Sequence, residues 1–324
     1  MTTELASVAR PGLRQPARNR LLDVAAAVGD VFVPTAAQDN AFAQLRDYTD
    51  LAVASGTSTG LVLAGDSGAG KTSTMRRWRT WAEKTYPDKR VLLVGAEGDP
   101  TSKSITESIL TTADDPFSHI GTYKAKLKRL TKLVESGRVL AIAFDEFQHF
   151  LTGNSPGKVI KAAEFIKDLF NRLGIPIYIA GLPSLVDFTR SSQELENRFT
   201  LIVTLYTCDV SDPDELREFR KVLGAYNKLV PLGDGLSLES ELMLLRFVIA
   251  TGGSLKLIAS ILQQACLLAG RRGAHVVRLA DLSQSLLNLS EGKQGVLDVF
   301  SMNEGKLREM LARHVAKVRS ARER

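Results

Sequence analysis

The sequence is poor in the features that mark secreted, membrane-embedded and metal-stapled proteins. It has only two cysteines in 324 residues, Cys208 and Cys266, and they lack the spacing of a metal site. No apolar stretch approaches the roughly 18 residues that a membrane helix needs, and the first twenty residues lack the apolar centre of a signal peptide. We therefore expect neither a disulfide framework nor a membrane span, and predict a protein of the reducing cytoplasm.

Hydrophobic residues make up 44% of the chain and charged residues 24%, which is typical of a globular protein. The length allows one large domain and a smaller one. The net charge of +6 is concentrated in residues 1–20, 122–138 and 303–324, each with an excess of lysine and arginine. Such clusters favour a polyanionic partner, most simply nucleic acid, although each could also be an ordinary solvated surface.

An apolar run, Leu61–Ala64, predicts a buried strand, and a glycine-rich loop and a helical pattern follow it. The loop has the form G-x-x-x-x-G-K-T in the strand–loop–helix context that a phosphate-binding loop requires. Its backbone N–H groups and the helix N-terminus can surround a phosphate, Lys71 can reach the β- and γ-phosphates, and the Thr72 hydroxyl can bind Mg²⁺. The predicted nucleotide-binding residues of this motif are Gly65, Asp66, Ser67, Gly68, Ala69, Gly70, Lys71, Thr72 and Ser73.

A second apolar run, Val139–Phe144, ends in two carboxylates and is typical of a parallel strand covered on both faces. Asp145 fits the carboxylate on the metal side of a nucleotide site, binding Mg²⁺ directly or through water. Glu146 fits a base that orients and deprotonates the attacking water. The sequence therefore predicts a catalytic pair next to the phosphate loop.

Strands alternate with helices up to residue 208, which predicts an α/β domain with a five-stranded parallel sheet. From Asp212 the pattern is helical only, beginning with an N-cap and a proline at the first turn. This layout resembles the AAA+ ATPases, an α/β nucleotide domain followed by a helical lid. We expect four parts: a flexible basic arm (1–30), the AAA+ domain (31–208), the helical lid (209–290) and a basic helical tail (291–324).

Two basic residues are candidates for contacts with the nucleotide. Arg198 directly precedes the predicted last strand, where an arginine can reach the γ-phosphate of a neighbouring subunit; Arg190 is the competitor. Lys256 begins a lid helix and could contact phosphate from that side, or could be a solvated helix-start lysine.

The order of these motifs resembles a narrower group, the TniB family of transposition ATPases, relatives of TnsC and of the phage Mu B protein. The resemblance spans roughly Val31 to Asn288. It rests on the following segments: Gly65–Thr72, Glu97–Lys103, Phe144–Leu151, Ile175–Gly181, Arg198-Phe199, Glu218-Phe219 and Thr251–Gly253.

The resemblance implies a bacterial ATP- and Mg²⁺-dependent protein that assembles as rings or filaments on target DNA and recruits a DDE transposase, with a possible targeting factor. It implies that Lys71 and Thr72 bind phosphate and metal, and that Asp145 lies on the metal side of the site. It also implies that Glu146 activates the water and that Arg198 acts on the nucleotide of a neighbouring subunit. The sequence differs from the family pattern at the end of the fourth strand. The pattern has a polar residue there, whereas this chain has Gly181–Ser184. Ser184 could substitute, or that contact is absent.

No base-reading module and no zinc spacing is present, so we expect phosphate contacts that are largely independent of sequence. The candidate DNA-binding residues are Lys103, Lys124, Lys126 and Lys128. Two other functions share the same core. One is a replication initiator or helicase loader, and the other is a signalling or secretion ATPase that binds no DNA.

Overall fold

The structure is a computed structural model, and it describes residues 16–95, 101–151, 156–209, 212–233, 235–290 and 297–322. Five strands are present in these ranges: β1 Gly60–Gly65, β2 Arg90–Gly95, β3 Val139–Asp145, β4 Ile177–Gly181 and β5 Leu201–Leu205. The helices are α1 Pro16–Asp30, α2 Ala36–Ser55, α3 Lys71–Thr85, α4 Ser102–Thr112, α5 Tyr123–Glu135, α6 Pro156–Leu173, α7 Leu185–Arg190, α8 Gln193–Arg198, α9 Pro213–Leu229, α10 Glu241–Thr251, α11 Leu255–Arg271, α12 Leu279–Leu289 and α13 Glu304–Arg322. A short 3₁₀ helix, Phe147–Leu151, follows β3.

The chain divides into two compact units. Pro34–Thr207 is the sheet unit, and the described parts of Met1–Val33 and Cys208–Arg324 make up the helical unit. In the sheet unit the strand order is β2-β3-β4-β1-β5, and every pairing is parallel. The predicted five-stranded parallel sheet is therefore confirmed. Because the strands are parallel, their carboxyl ends lie along one edge, where a ligand site of an open α/β sheet is expected.

Side chains alternate between the two faces of the sheet, as the period of a strand requires. On one face, Val62 and Ala64 of β1 belong to a core that includes residues of α4, α5 and α6. On the other face, Leu61 and Leu63 pack in a core with residues of α2 and α3, including the fully buried Trp78. Helices thus cover both faces of the sheet, which explains why the strands read as continuous apolar runs.

Side-chain caps fix where several of these helices begin. The Thr35 hydroxyl accepts a hydrogen bond from the Gln38 N–H, and the Gln38 side chain accepts one from the Thr35 N–H, forming a capping box at the start of α2. Asp212 caps α9, and Pro213 occupies its first turn, as the sequence predicted.

The predicted flexible arm over residues 1–30 is wrong for residues 16–30, which form α1. Leu21, Ala25 and Val28 lie on one side of this helix and are buried in the core of the helical unit. The Gln263 side chain of α11 also donates a hydrogen bond to the Ala25 carbonyl oxygen, at 3.0 Å. The remainder of the predicted arm, residues 1–15, lies outside the described residues.

The predicted basic tail over 291–324 is also not separate from the helical unit in its described part. Val299, Phe300 and Leu307 are buried in the same core, and the Phe300 ring packs edge-on against Phe247 of α10 with centroids 5.3 Å apart. Apolar burial rather than charge therefore determines where this segment lies. Residues 291–296 and 323–324 lie outside the described residues.

Within the described ranges, no single helix is long and apolar enough to cross a membrane. Only α10 and α11 taken together reach that length and composition, and they are bent by 109° at the break between them.

Candidate active site

The phosphate loop connects β1 to α3 at the carboxyl edge of the sheet. Gly68 and Gly70 have φ values of +81° and +93°, a region that glycine enters without steric cost. The Ala69 N–H donates to the Asp66 carbonyl oxygen at 3.2 Å, which closes the turn. Gly70 is the N-cap of α3 and carries no side chain that could satisfy the helix's first N–H groups. The loop therefore offers a helix N-terminus to an anion, as the motif predicts.

Two contacts from outside the motif hold this loop in place. The Gln38 side chain, 1% exposed, donates to the Ala69 carbonyl oxygen at 3.0 Å, and a Cβ atom at Gly70 would collide with the same amide. The Asp66 carboxylate accepts hydrogen bonds from the N–H and the hydroxyl of Thr207, at 3.1 and 3.2 Å. Asp66 thus ties the loop to the end of β5 through its side chain, a role that the sequence did not indicate.

Lys71 lies at the start of α3 with a side chain that is almost fully buried. Its ammonium donates to the carbonyl oxygens of Gly65 and Asp66, at 2.8 Å each. Burial lowers the pKa of Lys71, and the carboxylates of Glu146, Asp145 and Asp66 oppose this shift. The ammonium therefore lies in the electric field of the two carboxylates at the end of β3, as the predicted site requires.

Asp145 is the last residue of β3, and Glu146 follows it with a φ of +51°, a value that is strained for a residue with a side chain. The Asp145 carboxylate accepts a hydrogen bond from the Glu146 N–H at 3.0 Å through one of its two oxygens. One Glu146 oxygen accepts a hydrogen bond from the Gln148 side-chain amide. In the sheet, only β4 separates β3 from β1, so the carboxylates and the phosphate loop lie about two strand spacings, roughly 10 Å, apart.

These residues suit a magnesium ion that is held jointly with phosphate oxygens. Mg²⁺ is usually bound through one or two protein oxygens together with substrate phosphates, not by a cage of protein ligands. The Thr72 hydroxyl and the Asp145 carboxylate supply oxygen donors on the two sides of the site. No group of three His, Cys, Asp or Glu side chains in the described ranges forms a metal site by itself. The donor set therefore fits magnesium bound with a nucleotide.

Arg198 lies at the opposite edge of the sheet from the phosphate loop. It ends α8, its carbonyl lies beside Gly60 at the start of β1, and β1 extends about 16 Å from there to the loop. Its guanidinium donates to the Asn171 side chain at 3.0 Å and lies over the Phe170 ring. The backbone of Arg198 thus lies about 16 Å from the phosphate loop of its own chain, and its action in trans stays a prediction. Arg190, the alternative candidate for the trans contact, is the last residue of α7, and its side chain is exposed.

Two other predicted elements stay predictions. Lys256 is exposed in the first turn of α11, in the helical unit, and its contact with a nucleotide is untested. Of the Glu97–Lys103 segment that contributed to the family resemblance, residues 97–100 lie outside the described residues.

The assignment of Lys126 to a DNA-binding surface is wrong, because its side chain is fully buried. Its ammonium forms an ion pair with Glu107 at 2.9 Å and a hydrogen bond with the Ser118 carbonyl oxygen. The hydrogen bond from Lys126 lowers the pKa of Glu107. Arg129 holds the same loop by donating to the carbonyl oxygens of Phe117 and Ile120, at 2.7 and 2.9 Å. Lys126 therefore supports the connection between α4 and α5, since a buried ammonium needs such partners.

The other candidate DNA-binding lysines are placed differently. Lys103 lies in the first turn of α4, and Lys124 and Lys128 lie four residues apart on α5; all three are exposed. They remain available for contact with phosphates, and their role stays a prediction.

Sequence reasoning missed the residues that support the site. Gln38 could have been suspected only as half of a capping box, from the pattern Thr35-x-x-Gln38. Nothing in the sequence pairs it with a loop 31 residues away, or Thr207 with Asp66. Gln148 stands within the segment used for the family resemblance, but its contact with Glu146 had no sequence signal.

The comparison with protein families matches the family described as "Bacterial TniB protein" over residues 24–205. These residues are more than half of the chain and include the whole sheet. The match ends at residue 205, before the part of the helical unit that begins at Cys208, so the lid segments that were part of the resemblance are not covered by it.

Solved structures with the same fold include three proteins that each share 16–17% sequence identity with this chain. The Aeropyrum pernix ORC2 protein, in ADPNP–ADP complexes, has a TM-score of 0.62 over 90% of this chain and 82% of that one. Cdc6p from Pyrobaculum aerophilum has a TM-score of 0.62 over 90% and 84%. Domain III of the Thermotoga maritima replication initiation protein DnaA has a TM-score of 0.54 over 84% and 98%. At this level of identity the likeness shows the fold, which is that of the AAA+ proteins. No curated protein matches the sequence.

Proposed function

Because this chain belongs to the TniB family, we propose that it is an ATP-dependent switch that assembles on duplex DNA and recruits a DDE transposase. The observation that carries the proposal is the placement of Lys71 and the Asp145–Glu146 pair at one edge of the sheet, beside a helix N-terminus. That arrangement supplies the groups that bind a triphosphate and activate water.

Each group has a definite task in this proposal. The first turn of α3 and the Lys71 ammonium bind the phosphates, for which Lys71 exchanges its contacts with the loop carbonyls for phosphate oxygens. Thr72 and Asp145 would hold Mg²⁺, which when bound would neutralise phosphate charge. The second oxygen of Glu146 orients a water and accepts its proton as the water oxygen bonds to the γ-phosphorus. The bond from that phosphorus to the β–γ bridging oxygen breaks, and ADP leaves.

Hydrolysis depends on a second copy of the chain in this proposal. Since Arg198 lies about 16 Å from its own phosphate loop, it acts on the triphosphate of a neighbouring subunit. Its contacts with Asn171 and Phe170 hold the guanidinium near the surface. An arginine that reaches a neighbour's γ-phosphate links ATP to assembly as a ring or helical filament.

Lys103, Lys124 and Lys128 are the proposed DNA contacts. All three are exposed, and point charges of this kind bind phosphates without reading the sequence of bases. The binding should therefore weaken steeply as salt concentration rises. Lys256 is proposed as a further nucleotide contact from the helical unit.

A replication initiator or helicase loader is the second candidate, and the specific observation in its favour is the likeness to ORC2, Cdc6p and DnaA domain III. That likeness extends to the fold alone, whereas the family match is to TniB over the sheet unit. We therefore place the transposition switch first.

Electron microscopy of the full chain with Mg²⁺ tests the proposal in four samples: protein alone, with ATP, with duplex DNA, and with both. We expect rings or filaments on DNA only when both ATP and DNA are present, and their loss in Lys71→Ala. A protein that ignores ATP, or that binds ATP and stays monomeric with DNA present, would refute the proposal. Stable binding of a replicative helicase in place of a transposase would favour the second candidate.

A further inference from the structure

Gln148 contacts both a proposed catalytic group and the residue that directly follows β4. Its side-chain nitrogen donates to a carboxylate oxygen of Glu146, and its side-chain oxygen accepts from the Leu182 N–H at 3.2 Å. A carboxylate needs a donor and a backbone N–H needs an acceptor, so only one orientation of the amide satisfies both partners. The two contacts thus fix the amide uniquely.

The 3₁₀ turn that carries Gln148 is anchored by the residues on either side of it. Phe147 and Phe150 are almost fully buried, and their rings lie 5.6 and 5.7 Å from the ring of Phe144 on β3. Phe147 also packs against Phe188 of α7, with centroids 5.4 Å apart. Buried aromatic packing therefore holds the backbone of Gln148 between β3 and the segment that follows β4.

The end of β4 has room for this amide and no polar side chain of its own. In the strand order β3-β4-β1, β4 ends between the carboxylates and the phosphate loop. A Cβ atom at Gly181 would collide with the Gln148 side-chain oxygen, so glycine leaves the space that the amide fills. Ser184, the substitute that the sequence left open, is exposed and makes no capping hydrogen bond. Gln148, in the 3₁₀ helix after β3, thus supplies a polar group beside the end of β4.

Glu146 needs such a restraint. Its φ of +51° lies in the left-handed region, where a residue with a side chain is strained and must be held by its surroundings. The Gln148 amide occupies one of its carboxylate oxygens and leaves the other for a water molecule. A carboxylate fixed through one oxygen presents the second in a defined direction.

We propose that Gln148 is a positioning residue that orients the Glu146 carboxylate for hydrolysis and couples this orientation to the loop after β4. The inference rests on the proposed function, because it concerns how the water-activating group of that function is held. In this role Gln148 acts through the Glu146 carboxylate and not on the nucleotide directly.

Two substitutions separate orientation from packing. Gln148→Leu removes both hydrogen bonds, whereas Gln148→Glu is nearly isosteric, keeps an acceptor for the Leu182 N–H and replaces the N–H donor to Glu146 with a carboxylate oxygen. We expect both to lower kcat for ATP hydrolysis by about 10- to 100-fold, the reduction that a misplaced catalytic group causes. KM for ATP and the binding of a fluorescent ATP analogue should stay unchanged, and the matched control Gln44→Glu on α2 should behave as wild type.

A double-mutant cycle tests whether Gln148 acts through Glu146. In a Glu146→Gln background, whose residual hydrolysis is followed with radiolabelled ATP, Gln148→Leu should change the rate by less than about twofold. Tryptophan fluorescence checks folding of the sheet unit in every variant.

The possible results distinguish failure of this inference from failure of the proposed function. Wild-type rates in both Gln148 variants, an activity in Gln148→Glu well above that of Gln148→Leu, or an additive effect in the Glu146→Gln background would overturn the inference alone. A wild-type protein that hydrolyses no ATP with Mg²⁺ and DNA would overturn the proposed function, and the inference with it.

Discussion

Replacing Gln38 with alanine should destabilise the sheet unit, because the side chain connects α2 to the phosphate loop from a fully buried position. The substitution removes the hydrogen bond to the Ala69 carbonyl oxygen at 3.0 Å and the one from the Thr35 N–H at 3.2 Å. At about 1 kcal/mol for each bond, with about 1 kcal/mol for the buried methylene that is removed, the free energy of unfolding should fall by roughly 3 kcal/mol. With a urea m-value of about 2 kcal/mol/M, the midpoint should fall by about 1.5 M.

The chain offers a probe that reports on this unit alone. Its two tryptophans, Trp78 and Trp81, both lie on α3 directly after the phosphate loop. Tryptophan fluorescence therefore follows the sheet unit and not the helical unit during urea unfolding. Gln44→Ala, a change of the same residue type at a half-buried position on α2, is the control and should shift the midpoint little.

The same substitution should weaken nucleotide binding. Once the Ala69 carbonyl loses its partner, the loop is no longer held in one conformation, and a tenfold rise in the Kd for ATP would correspond to about 1.4 kcal/mol of preorganisation. Titration with a fluorescent ATP analogue in Mg²⁺ measures it. An unchanged urea midpoint would refute the energetic argument, and a lowered midpoint with unchanged Kd would show that the loop does not depend on Gln38.

Three further outcomes follow from the site and its surfaces. Glu146→Gln should bind ATP as wild type does and hydrolyse it at least about 100-fold more slowly, so assemblies on DNA should persist longer; normal turnover would remove Glu146 as the base. Arg198→Ala should be inactive alone, yet mixing it with Glu146→Gln should restore part of the ATPase activity, because one mixed interface is intact; no recovery would count against action in trans. Changing Lys103, Lys124 and Lys128 together to glutamate should weaken DNA binding and lower the slope of log K against log salt by about 0.9 for each phosphate that the variant no longer neutralises, while ATP binding is kept; an unchanged slope would exclude these lysines.

The elements that the sequence predicted well are those with a strong apolar period. The apolar runs Leu61–Ala64 and Val139–Phe144 predicted β1 and β3 with ends within one residue of those observed. The segments missed between β4 and β5, α7 and α8, are six residues each, too short to show a helical period. Helix α1 was missed because its buried face is mostly alanine and valine, which contrasts weakly with its polar side.

Lys126 shows why charge is a poor guide to exposure. It precedes Leu130 by four residues, so it lies on the same side of α5 as the buried stripe. The sequence shows neither that the loop before α5 covers this position nor that Glu107 lies opposite, because both contacts are tertiary. A lysine on the inner side of an amphipathic helix should therefore be tested for a buried partner before it is assigned to a surface.

Lys71, Asp145 and Glu146, three of the proposed site residues, are charged, whereas Gln38 and Gln148, which hold the phosphate loop and Glu146, are neutral amides. This division has a physical reason at Gln148, where the side chain must donate to a carboxylate and accept from a backbone N–H. An arginine or lysine there could donate but not accept, and would pair with the carboxylate that must take a proton from water. A carboxylate could accept but would repel Glu146. At Gln38 a lysine could donate to the Ala69 carbonyl oxygen but could not accept from the Thr35 N–H. An amide meets both demands at each position without adding charge beside the proposed triphosphate site.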